Sequence, residues 1–234
     1  MRANELLLEI VTGLYDEQAS RWPAPTAPSA KWHLWHVARW SDIVQSTLCP
    51  VANGEADLSN KGPQLWEALG IADEWGFLVP MPGKLGGGTG LGNTEAANLR
   101  LPDMIRIVGY SRSTFELCEM RFSQIDDGLF ESDFYDWDGV RLQVGDAMFG
   151  HISHINRHLG MIEAIKGVLG LDGSATDWVR EAVDVLAAFQ HTSVPETPKK
   201  WVYEAITQFL SGRRAGPREA TATIADHAYH YFLR

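Results

Sequence analysis

Cysteine is close to absent from this chain: Cys49 and Cys118 are the two among 234 residues. Two thiols cannot build a disulfide framework, and their scarcity predicts a reducing, cytoplasmic setting. Basic residues are also short. Twenty Lys and Arg face thirty Asp and Glu, for a formal net charge of −10. That balance argues against a broad phosphate-tracking surface, so no nucleic-acid partner is expected. No window approaches about 18 uncharged apolar residues, so no membrane span is expected. The opening MRANELLLEIVTGLYDEQ is too acidic and too weakly apolar for a signal peptide. There is no internal repeat, low-complexity run or charge block. What is abundant is imidazole and indole, with eight His and nine Trp in a chain only 21% charged.

Periodicity predicts an all-α chain. An amphipathic helix over 4–18 carries Leu7, Ile10, Val11, Leu14 and Tyr15 on one side. It stops at a stretch where Pro23, Pro25 and Pro28 bar helix. Ser29 is the expected N-cap of a second helix over 31–48, closed by Pro50. Residues 50–97 are irregular apart from a short helical piece in PQLWEALG. A third helix is expected over 103–124, and a turn-rich stretch with a short hairpin follows. The fourth, over 144–169, has the cleanest pattern, with Met148, Ile152, Ile155, Leu159, Ile162, Lys166 and Leu169 stepping by three or four. Shorter helices are expected over 175–190, 198–211 and 217–232. This divides the chain into a bundle over 1–170 and a helical C-terminal extension over 171–234.

The histidines are unevenly placed. At about 100° per residue from Met148, the apolar ridge of the fourth helix spans roughly 320° to 40°. His151, His154 and His158 then form a band beside it. His154 and His158 stand at i,i+4, close enough for one metal ion, with His151 a further candidate. On the second helix, His33 and His36 fall within the arc that holds Trp32, Trp40, Val37 and Ile43. Arg39, Asp42, Gln45 and Ser46 take the other side, and Arg39 reads as solvated. A core-facing His of the second helix together with the pair on the fourth gives three imidazoles inside a bundle. That is the ligand set of an open metal site. Each histidine taken singly is more simply a packed core residue with a hydrogen-bond partner.

WHLWHVARW and HINRHLGMI carry a resemblance to the DinB/YfiT-like superfamily of metal-binding four-helix bundles, over about residues 5–170. WGFLVPMPGKLGGGTGLGNTEAANLR resembles the Gly-Thr-Gly loop that many members place before their third helix. The resemblance implies three ligands, His36, His154 and His158, with His33 and His151 as alternate ligands or supporting residues. Met161 stands where members often have Gln. It further implies a divalent metal, a homodimer, and either of two activities on a small-molecule substrate. One is a low-molecular-weight-thiol S-transferase or thiol-dependent isomerase acting on a small electrophile. The other is a hydrolase with water as nucleophile. A non-catalytic metal-binding bundle is the reading from another class. Imidazole ligands favour zinc, with nickel, iron or manganese as alternatives. No catalytic residue beyond the metal ligands is assigned.

Other features have plainer readings. GKLGGGTGLG lacks the Lys-Ser/Thr ending and preceding strand of a phosphate loop and is read as either a plain surface loop or a flexible wall or lid over the pocket. DDGLFESDFYDWD lacks calcium-loop spacing and is read as a solvated turn. Cys49 and Cys118 are read as buried free thiols. His191, His227 and His230 are read as incidental.

Overall fold

The computed structural model describes residues 2–55, 61–77, 83–136 and 139–173. The three helices expected beyond residue 174, with His191, His227 and His230, lie outside the described residues. The helix expected over 4–18 is two helices, α1 (Arg2–Val11) and α2 (Asp16–Ser20). The apolar spacing runs on through the break, but Gly13 sits at φ +84 and the Leu14 N–H turns back to the Val11 carbonyl at 3.1 Å. A left-handed glycine of this kind ends a helix whatever the pattern beyond it. Leu7, Ile10 and Val11 are buried as the spacing predicts.

The second expected helix is α3 (Ala30–Ala52), with Ser29 as its N-cap accepting from the Trp32 N–H at 3.2 Å. Pro50 does not close it. A proline inside a helix strands the carbonyl four residues back, here that of Ser46. The insertion supplies a substitute donor, for the Gly62 N–H reaches the Ser46 carbonyl at 2.9 Å. The helix therefore runs through Pro50 to Ala52. The insertion itself holds α4 (Leu65–Ala68), α5 (Ile71–Glu74) and α6 (Asn93–Ala97). Next comes α7 (Met104–Ser123), capped by Asp103, whose carboxylate accepts from the Arg106 N–H at 3.0 Å.

A short hairpin follows, β1 (Asp133–Tyr135) against β2 (Arg141–Gln143), antiparallel with Phe134 opposite Leu142. Alternation turns Phe134 inward, where it is buried with Leu48, Val51, Cys118 and Phe122. The last described helix is α8 (Val144–Val168). Four helices make the bundle: α3 packs on α7 and α8, and α1 packs on α8 and α7. The core face of α8 is rotated from the expected ridge. His151, Ile155, His158, Ile162 and Ile165 are its buried side chains past the first turn, while Met148, Ile152 and Leu159 are half-buried. The histidine band thus faces inward together with isoleucine. Cys49 and Cys118 are buried free thiols, as expected.

Candidate metal centre

Two helices deliver five histidines to one region. On α3, His33 and His36 lie at i,i+3; on α8, His151, His154 and His158 follow at three- and four-residue steps. His36 Nε2 stands 3.1 Å from His154 Nε2. The ring centroids of His36 and His158 are 4.8 Å apart, and those of His154 and His158 are 4.5 Å apart. One ligand atom from each of His36, His154 and His158 lies within 4.8 Å of the others. Among the described residues this is the group of His, Cys, Asp or Glu side chains able to share one ion.

The donor set fits a divalent cation. Nitrogens about 2.0–2.1 Å from a tetrahedral zinc stand about 3.3 Å from one another, close to the observed His36–His154 separation. The tautomers agree as well. His36 Nδ1–H donates to the Gly87 carbonyl at 2.5 Å, which leaves the Nε2 lone pair facing the cluster. His33 Nδ1 meets His158 Nδ1 at 2.8 Å; with the proton on His158 Nδ1, that ring also presents a free Nε2. Burial pushes His36 down from the ordinary 6.5 to about 4, His154 to about 3 and His158 to about 2. Neighbouring imidazoles add to the last two shifts. All three are neutral at pH 7, the form that binds metal.

His33 and His151 sit outside that group of three. His33 is buried, is pushed down to about 4 chiefly by desolvation, and serves as the partner of His158. His151, also pushed down to about 4 by burial, meets Ser41 Oγ at 3.0 Å. Ser41 in turn donates to the Val37 carbonyl, so the hydroxyl accepts from His151 Nε2–H. Trp32 stacks on His36 at 4.6 Å with ring planes 12° apart, and Trp40 stands edge-on to both His36 and His154.

The Gly-rich loop forms a wall of a cavity of about 540 Å³, which His36, His151 and His154 also line. Gly88 has φ +81, and a Cβ there would come within 2.8 Å of the Trp35 ring. Only glycine lets the backbone lie flat on these indoles and bring the Gly87 carbonyl to His36. Met161 is 40% exposed and is no part of this wall.

The polar side of α3 is a correction. Arg39, read as solvated, is buried, and so are Asp42, Gln45 and Ser46 on the same side. Asp42 accepts from Tyr110 Oη at 2.8 Å, Arg39 at 3.2 Å, Gln45 at 3.0 Å, and the backbone N–H groups of Leu65 and Trp66 at 2.8 Å each. Arg39 also donates to Gln64 Oε1 at 3.0 Å and lies over the Trp66 ring at 4.6 Å. A helical wheel assigns polar residues to water, but here the insertion covers them and brings their partners. Arg39 further reaches the Leu85 and Gly86 carbonyls at 3.4 Å each. The network therefore fixes the loop whose next residue holds His36. A sequence clue was present: this stripe pairs Arg with Asp at i,i+3 and contains no Lys or Glu.

Comparison with known proteins bears on the family and the fold. A family model described as the DinB superfamily matches residues 2–162. Among solved structures, a conserved protein from Enterococcus faecalis is similar at a TM-score of 0.58 and 20% identity, over 72% of this chain and 92% of that one. At that identity the likeness concerns the fold. A search of curated proteins returns no match.

Proposed function

We propose, from the premise that this chain belongs to the DinB superfamily, that it is a divalent-metal-dependent enzyme with His36, His154 and His158 as ligands. Its reaction is transfer of a low-molecular-weight thiol to a small electrophile, or a thiol-dependent isomerisation. The observation that carries this reading is the convergence of three neutral imidazoles within 4.8 Å, two of their rings in the wall of a cavity. A divalent cation at such a site supplies a Lewis-acid position that favours the deprotonated form of a thiol or water placed there. Three neutral ligands leave the cation's charge uncompensated, since no carboxylate joins the cluster among the described residues. That favours an anionic fourth partner such as a thiolate.

The chain's own residues have separable tasks. His36, His154 and His158 hold the cation. Gly87 and His33 fix the ring tautomers of His36 and His158. The indoles of Trp32 and Trp40 exclude water from one side. The sulfur must arrive with a small molecule, because Cys49 and Cys118 are both buried and the Cys118 thiol is pushed well above its ordinary range by that burial. A homodimer remains part of this reading, to be measured by analytical ultracentrifugation.

The test is elemental analysis of the purified protein and of His154→Ala. One equivalent of zinc or another divalent metal is expected in the first and a small fraction of it in the second. A wild-type protein that carries no metal and binds none sinks the enzyme reading. Glutathione, mycothiol and bacillithiol are then assayed with a panel of electrophiles. Turnover that needs no thiol and consumes only water assigns the protein instead as a hydrolase.

A further inference from the structure

We propose that the cavity beside the three histidines takes a small, largely apolar molecule bearing a carboxylate, and that Arg157 holds that carboxylate. The inference rests on the reading of this cavity as the substrate site. Trp32, Trp40 and Phe134 give the walls extended apolar surface. Such a wall recognises an aromatic or alkyl body and gives little purchase to a polar one. Three charged side chains interrupt it: Lys84, Asp136 and Arg157. Asp136 is turned to its own turn, accepting from the Val140 N–H at 2.9 Å. Arg157 is different, for it makes no hydrogen bond and no ion pair among the described residues.

An exposed arginine is ordinarily just solvated. This one stands on α8 three residues beyond His154 and directly before His158, so it shares a face with a proposed metal ligand. A guanidinium offers a carboxylate two parallel N–H donors, which a lysine cannot. An apolar molecule lying along the indoles would place its carboxylate on Arg157, at the edge of the cluster.

Cinnamate and its neutral amide, cinnamide, test this by quenching of the indole fluorescence, to which Trp32 and Trp40 in the cavity wall contribute. Wild-type protein should bind cinnamate about tenfold tighter than cinnamide, equivalent to about 1.4 kcal/mol. Arg157→Gln should abolish that preference while leaving cinnamide binding unchanged, and Arg157→Lys should keep part of it. The titrations are run on zinc-loaded and on chelator-treated protein. A preference that disappears with zinc but survives in Arg157→Gln assigns the carboxylate to the metal and overturns the role of Arg157. Reduced glutathione, carrying its carboxylates on a polar frame, is the third probe. Tighter Arg157-dependent binding of glutathione than of cinnamate overturns the apolar assignment, as does failure of cinnamate to bind. Metal content measured on the same samples keeps the two readings apart: protein without metal sinks the enzyme reading, while the preference set by Arg157 is still measured.

Discussion

A buried imidazole has two ring nitrogens to satisfy, and each of these histidines solves that problem with a specific partner. His36 uses a backbone carbonyl, His151 uses a serine hydroxyl, and His158 uses another imidazole, His33. The last arrangement gives His33 a role distinct from ligation. With the proton on His158 Nδ1, His33 accepts from that N–H and holds the tautomer that leaves Nε2 free for a metal. Partners of this kind are worth about 10–100-fold in metal affinity. His33→Phe should therefore weaken zinc binding by that factor, measured by competition with a chromophoric chelator, with helical circular dichroism unchanged. His33→Gln, which retains an acceptor, should lose less. Equal affinities in wild type and both variants would mean that His33 is merely packed. His154 and His158 were legible in the sequence because their i,i+4 spacing is a property of one helix. The His33–His158 contact was not, because it depends on how α3 and α8 are rotated about their axes relative to each other.

At the scale of elements, the site depends on how firmly the insertion is fastened to α3. Asp42 is fully buried and accepts hydrogen bonds from three side chains and two backbone N–H groups of the insertion. Asp42→Ala leaves Arg39 and two N–H groups without their acceptor, and breaking a buried pair from one side costs about 3–5 kcal/mol. Chemical denaturation of Asp42→Ala should read that loss, whereas a change below about 1 kcal/mol would mean that water replaces the carboxylate. A subtler break is Gly88→Ala, strained by φ +81 and by the Trp35 ring 2.8 Å from the new methyl. The loop must move, and the Gly87 carbonyl should leave His36. Weaker zinc binding with a retained bundle is the expected result, and wild-type affinity would refute the coupling. The long helices were readable from their caps and apolar spacing, since Ser29 and Asp103 cap as a sequence rule expects. The short helices α4, α5 and α6 are four or five residues each, too brief for periodicity to register. The buried stripe on α3 was misread for a related reason: what covers it is folded from those short pieces.

For the molecule as a whole, five neutral histidines inside the bundle link folding to pH and to metal. Burial holds His33, His36 and His151 at about 4, His154 at about 3 and His158 at about 2, against 6.5 for an ordinary histidine. An unfolded chain takes up protons at these positions below about pH 6.5, while the folded chain does not until near pH 4. Between those limits the unfolded state binds more protons, so stability falls as pH falls. Metal-free protein should therefore melt at a constant temperature above about pH 6.5 and at steadily lower temperatures from there toward pH 4. Zinc should behave differently. Bound only by the folded state, it adds about 2.7 kcal/mol at a free concentration a hundredfold above its dissociation constant. In the folded protein, protons compete for His36, His154 and His158 only near or below pH 4. The increment from zinc should thus stay nearly constant from pH 7.5 to 5.5 while the metal-free baseline drops. Scanning calorimetry with and without zinc across that range separates the two effects, and His154→Ala should remove the increment while keeping most of the slope. A zinc increment that shrinks as soon as pH passes below 6.5 would mean that the three imidazoles are as open to protons as surface histidines, which their burial in the bundle contradicts.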